Sequence, residues 1–176
     1  MACKKMGFKE APTVIDDPEL QDGMDIHWAP ELVADFVTKW CMQKEASDGP
    51  SGKIDIIITF DDEGVSGHTN HKATFHGVKE LMTKKMIDVE VMTLTTYGIL
   101  RKYIGAIDIN FILPNEWHAF WFNNCAAYSN LAAHESQLVW FRKFFIILSR
   151  YTYVNSFSRY IQEAGSSAFR AEHIHD

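Results

Sequence analysis

The sequence predicts an α/β protein built on a mostly parallel sheet, and three observations carry that prediction. Residues 54–60 form an almost continuous apolar, β-branched run, the pattern of a strand buried on both faces. Amphipathic helical stretches lie on either side of it. A second strand-like run, 89–95, follows the second helix, so helix, strand, helix and strand succeed one another in the order of a βαβ unit.

Taken in order, the chain opens with basic Lys4 and Lys5, a β-prone Thr13-Val14-Ile15 and a turn at Asp16-Asp17-Pro18. Pro30 suits a first helical position, and Leu32, Val33, Phe36, Val37, Trp40 and Cys41 recur with helical spacing over roughly three turns. Residues 47–52, Ser-Asp-Gly-Pro-Ser-Gly, read as the short loop that joins this helix to the 54–60 strand. An acidic, glycine-punctuated loop at 61–68 then leads to a helix carrying Ala73, Val78, Leu81 and Met82, ending at Lys84-Lys85. Beyond Thr96 the expectations are a short amphipathic turn with Arg101-Lys102, weak alternation at 107–113 and an edge strand at 117–122. Helical spacing returns at 124–135 and 136–150, the latter with Leu138, Phe141, Phe145 and Leu148 along one side. One α/β domain is expected over residues 1–164. Residues 165–176 read as a loose tail whose His173 and His175 meet solvent.

Composition narrows the function classes. The formal charge of −6 comes from acids spread along all 176 residues, which disfavours nucleic acid as a partner because phosphate binding needs a basic face. Cys3, Cys41 and Cys125 stand far apart without a CxxC pair, which suggests neither a disulfide framework nor a cysteine-rich zinc site and fits a reducing compartment. No run approaches the ~20 apolar residues of a membrane-spanning helix, and no apolar segment follows Lys4 and Lys5 as in a secretory signal.

Chemistry concentrates between residues 54 and 71. His68 and His71 are three apart at a helix start and can face one way, so the pair can bind zinc if further ligands come from elsewhere; it can equally cap the helix or meet solvent. Gly64 and Gly67 allow backbone amides to approach a ligand. Asp61, at the strand end, either orients an imidazole or caps the following turn. His76, further along the helix, reads as a packed or surface residue.

Phe60-Asp61, then Gly64-Val65-Ser66-Gly67-His68-x-Asn70-His71, resembles the second motif of the N-acetylglucosaminyl-phosphatidylinositol de-N-acetylases of GPI-anchor synthesis. The resemblance continues through Leu94-Thr95, Leu100-Arg101-Lys102-Tyr103-Ile104, His134-x-Ser136-Gln137-Leu138-Val139-Trp140-Phe141-Arg142, Ser149-Arg150-Tyr151 and Asn155-Ser156. It implies a Rossmann-like fold with helices on both faces of the sheet, and a metal-dependent amidohydrolase that removes acetate from GlcNAc-phosphatidylinositol. It also implies a divalent metal, zinc, and a place at the cytoplasmic face of the endoplasmic reticulum membrane. Carried over by position, His71 corresponds to a metal ligand, and His68 to the catalytic histidine that stabilises the tetrahedral intermediate or protonates the departing amine. The family's His-Pro-Asp-Asp-Glu motif, with two further ligands and the general base, has no counterpart here; Asp16-Asp17-Pro18-Glu19 has similar letters in another order and no histidine. The expectation is therefore an N-terminally truncated member, its fold incomplete at the N-terminus and inactive alone. The alternative is a non-catalytic protein that binds lipid or a partner.

Residues 140–153, rich in aromatic and basic side chains, have two readings. They form a helix packed on the sheet, or they contact a membrane surface with Arg142, Lys143 and Arg150 near lipid phosphates.

Overall fold

The computed structural model describes residues 10–23, 25–114, 116–122, 124–132 and 139–161. In chain order its elements are α1 (Pro30–Asp48), β1 (Ile56–Phe60), the single-turn α2 (Gly64–Gly67), α3 (Thr69–Thr83), β2 (Glu90–Leu94), α4 (Ile99–Lys102), β3 (Trp117–Phe120), α5 (Asn124–Ala132), α6 (Trp140–Leu148) and β4 (Val154–Tyr160). The strands are ordered β1-β2-β4-β3, with β1 and β2 parallel and β2 and β4 antiparallel. The α/β class is as expected, and the sheet is mixed. The chain folds as two compact units, one from the described residues of Asp16–Thr96 and Phe157–Asp176, the other from those of Met1–Ile15 and Tyr97–Ser156.

The first unit is held by apolar packing. Pro30 starts α1, which turns Val33, Ala34, Thr38 and Cys41 inward. The helix runs beyond the expected three turns into the supposed loop, because Lys44 and Asp48 pair at 2.7 Å one turn apart and Ser47 donates to the Lys44 carbonyl. Ala34, Val78, Leu81, Val89 and Val91 form the core, with Ile54 and Ile57 packed against it. Gly77 lets α1 and α3 meet, since a Cβ there would overlap the Val33 side chain. β1 is not buried on both faces as its sequence suggests. Ile57 faces the core, whereas Ile56 and Ile58 on the other face are exposed, Ile58 by 63%. The reason is layering: α1 and α3 pack on the face that Ile57 shares with Val91, and Ile56 and Ile58 point away from that layer.

The second unit departs further from the sequence reading. Thr13-Val14-Ile15 forms no strand. Residues 107–113 lie mostly in a 3-10 run, Gly105–Phe111. β3 is found within the expected edge strand, while β4 was not foreseen. The helical stretches 124–135 and 136–150 correspond to α5 and α6; His134, Ser136, Gln137 and Leu138 lie outside the described residues, as do 165–176 and the domain limit at 164. α6 buries Ile146 alone, so the packed-helix reading is corrected: Phe141, Phe145 and Leu148 are exposed.

Beside the buried apolar Ile146, Tyr153 and Val154, this unit has a buried ionic centre. Asp108 and Arg150 are both fully buried, and the Arg150 Nε donates to Asp108 Oδ2. Arg101 donates to both Asp108 oxygens, at 2.8 and 3.0 Å, and to the Phe111 carbonyl at 2.7 Å. Both guanidiniums lie over the Tyr97 ring, that of Arg101 at 4.1 Å and that of Arg150 at 3.8 Å. Its hydroxyl donates to Glu116 at 2.6 Å, and burial together with that carboxylate pushes the phenol up to about 12. Arg150 Nη2 donates to Ser156 Oγ, which in turn reaches His118 Nδ1, both at 3.0 Å. His118 Nε2 donates to the Leu113 carbonyl at 2.7 Å.

Two outcomes follow from this packing. Gly77→Ala forces α1 and α3 apart and lowers stability by roughly 1–3 kcal/mol in urea unfolding; an unchanged midpoint would contradict the close approach. Burial opposes ionisation of Asp108, but its bonds to Arg101 and Arg150 prevail and hold its carboxyl below the usual carboxylate range. Its contribution is therefore complete above the unfolded value of about 4 and is lost as pH falls through the lower folded value. Asp108→Asn costs about 3–5 kcal/mol at neutral pH, because two guanidiniums lose their counter-charge, and flattens this acid dependence in circular dichroism titrations.

Candidate active site

The site grows out of the end of β1. Asp61, the first residue beyond the strand, accepts hydrogen bonds from the Gly64 amide at 3.0 Å and the Thr96 hydroxyl at 2.6 Å on Oδ1, and from the Thr96 amide at 2.5 Å on Oδ2. Thr96 follows β2, so one carboxylate ties together the loops that leave two parallel strands. The Thr96 hydroxyl also accepts from the Val65 amide at 2.8 Å. Of the two sequence readings of Asp61, its geometry is that of the turn cap. It reaches an imidazole only through a peptide group, for the Gly64 carbonyl lies 3.0 Å from His71 Nδ1.

Backbone conformation in this loop is unusual. Gly64 has φ +64°, and a Cβ there would stand 2.9 Å from the Cβ of His71. Val65 has φ +61° and ψ −46°, close to the strained γ-turn conformation near φ about +75° and ψ about −65°. A β-branched side chain is a genuine outlier there, and such strain collects at functional sites.

The two histidines take opposite tautomers. A carbonyl oxygen only accepts, so His71 carries its proton on Nδ1, facing Gly64, and keeps a lone pair on Nε2. His68 caps α3: its Nδ1 accepts from the Asn70 amide at 3.2 Å, which places the proton of the neutral ring on Nε2. That Nε2 lies 3.9 Å from Asp22 Oδ1. The rings are 5.1 Å apart, and the His71 ring stacks on Phe60 at 4.1 Å with 11° between planes, which fixes its orientation. One imidazole thus offers a proton and its neighbour a lone pair. His76 instead meets Phe75 edge-on at 5.4 Å.

Residues without an assigned role in the sequence reading complete the surroundings. Asp22 accepts from the Asn70 side-chain amide at 2.8 Å, and the Asn70 Oδ1 is buried without a hydrogen-bond partner among the described residues. Asn70 belongs to the motif and could have been suspected from it. Asp22 and Thr96 are distant in sequence and carry no local signal. Among the described residues no group of three His, Cys, Asp or Glu side chains is placed to hold a metal ion.

The chain is similar to curated proteins along most of its length. It is 29% identical to a Dictyostelium discoideum protein named "Probable N-acetylglucosaminyl-phosphatidylinositol de-N-acetylase", over 88% of this chain and 71% of that protein. It is 30% identical to the Bos taurus N-acetylglucosaminyl-phosphatidylinositol de-N-acetylase, over 88% of this chain and 61% of the relative. For the Schizosaccharomyces pombe protein, again named with "Probable", the identity is 33% over 83% of this chain and 59% of the relative. The chain thus spans about three-fifths of the length of the last two relatives. No family model and no solved structure matches it.

Asp61→Asn tests the clasp, because it sets an amide donor against the Thr96 N–H. Stability is expected to fall by about 1–3 kcal/mol, and the Gly64 and Thr96 amides to exchange faster by NMR. Unchanged exchange at both amides would show that the carboxylate does not hold the loops.

Proposed function

We propose, from the kinship of this chain with the N-acetylglucosaminyl-phosphatidylinositol de-N-acetylases, that residues 54–71 form part of a site that hydrolyses the N-acetyl group of GlcNAc-phosphatidylinositol. Water adds to the amide carbonyl, the C–N bond breaks, and acetate and a free amine result. The observation that carries this reading is the pair of oppositely protonated imidazoles. Amide hydrolysis needs a donor for the carbonyl oxygen as it gains charge and a proton for the departing nitrogen. His68 Nε2–H supplies such a donor, and Asp22 Oδ1 lies 3.9 Å from that nitrogen.

His71 has the arrangement of a metal ligand, its Nδ1–H held by a backbone carbonyl and its Nε2 lone pair available. A catalytic zinc takes about three protein ligands. The described residues therefore do not make a complete metal site, and His71 is one ligand of it; the acidic ligands and the general base come from outside the described residues. Asp61 acts by positioning, through Gly64. The lipid substrate, and Cys41 as a buried free thiol, support a peripheral place at the cytoplasmic face of the endoplasmic reticulum membrane. No helix of the described residues is long and apolar enough to cross a membrane.

The incomplete ligand set favours one further reading, a non-catalytic protein that binds lipid or a partner. A chimera separates the two: the matching part of the Bos taurus relative is replaced by this chain, and acetate release from GlcNAc-phosphatidylinositol is measured. The chimera is expected to be active and the 176-residue chain alone inactive. His68→Ala or His71→Ala should each lower the chimera's rate by about 100-fold or more. A folded chimera without activity would favour the binding protein, and acetate release by the chain alone would refute the incomplete site.

A further inference from the structure

α6 is turned inside out. At about 100° per residue, Ile147, Trp140, Phe144, Leu148, Phe141 and Phe145 fill a continuous arc of roughly 160°, and every one of them is exposed, Trp140 by 73%. Ile146 alone is buried, on the opposite side, with Arg142 and Lys143 between it and the edges of the arc. A helix of a soluble protein ordinarily buries its apolar stripe.

The apolar face does not end with this helix. Within the same unit the Phe145 ring lies 6.3 Å from Tyr103, the residue that closes α4. α4 itself exposes Ile99 and, by 81%, Leu100. Such an extent of outward aromatic and aliphatic surface marks an interaction site.

Charge selects the occupant. α6 reads Trp-Phe-Arg-Lys-Phe-Phe-Ile-Ile-Leu and α4 reads Ile-Leu-Arg-Lys; with Arg101 committed to Asp108, they offer three basic residues, Arg142, Lys143 and Lys102, and no acid, in a chain whose net charge is −6. A two-fold contact between copies would set these basic edges against each other, which is unfavourable. Aromatic rings flanked by basic side chains match the boundary of an anionic bilayer, where rings lie at headgroup depth and cations meet phosphates. We propose that α6 and α4 together form a docking face for the surface of an anionic lipid membrane. This deepens the peripheral-membrane part of the functional reading above and rests on it for the cellular setting.

The test is co-sedimentation of the whole chain with vesicles of phosphatidylcholine alone and of phosphatidylcholine with added phosphatidylserine. Binding to the anionic vesicles is expected, weakened by high salt. Trp140→Ser with Phe144→Ser should reduce it by about tenfold or more, and Lys143→Glu should reduce binding to the anionic vesicles only. All three side chains are exposed, so circular dichroism should be unchanged in the variants. Equal binding by the Trp140/Phe144 variant and the original chain overturns the proposal. So does a stable dimer that the same substitutions dissociate, which would give the face to a second copy. Vesicle binding and acetate release are read separately, so failure of one is distinguishable from failure of the other.

Discussion

The carboxylate of Asp61 is the constraint on which the rest of the site depends. Two parallel strands bring their ends together, but nothing in a β ladder dictates the path of the loops beyond it. Asp61 dictates that path by accepting from Gly64 and from both the amide and the hydroxyl of Thr96. Once Gly64 is held, its carbonyl meets His71 and decides which imidazole nitrogen bears the proton. A chain of three groups, carboxylate, peptide and imidazole, thus transmits strand geometry to the tautomer of a side chain. The charge on Asp61 suits the role, since an ionised acceptor binds backbone amides more strongly than a neutral one.

Much of this was legible in the sequence. The spacing of His68 and His71, the glycines before them and the position of Asp61 identified one loop, and the parallel pairing of β1 with β2 followed from the βαβ order. Other features were hidden for physical reasons. β4 alternates, yet one of its inward residues is Ser156, fully buried because Arg150 and His118 satisfy its hydroxyl, so hydrophobic periodicity does not reveal it. Exposure of Ile56 and Ile58 depends on which face of the sheet α1 and α3 cover, which no local pattern encodes. The outward face of α6 was ambiguous for a related reason: periodicity shows that a helix has an apolar side, and only tertiary packing shows which way that side faces.

The two units solve the problem of a core in different ways. The first hides aliphatic side chains between α1, α3 and the sheet. The second surrounds Asp108 with two guanidiniums and stacks both on Tyr97, leaving many of its aromatic and aliphatic groups on the outside. Buried ion networks are demanding, because every member must be satisfied at once. Arg150 Nη1 lacks a partner among the described residues, which makes this network less than fully satisfied. The network shares the interior of this unit with the buried apolar side chains of Ile146, Tyr153 and Val154.

Val65 has a wider meaning for how this chain balances its requirements. Glycine would adopt φ +61° without steric penalty, and a β-branched residue sits there at a cost of the order of 1–3 kcal/mol. The loop is therefore a place where thermal robustness is surrendered locally. Selection for heat resistance alone would relax this position early, and the relaxed loop would lose the stiffness with which it presents a carbonyl to an imidazole. Durability and precision are in conflict at a single side chain.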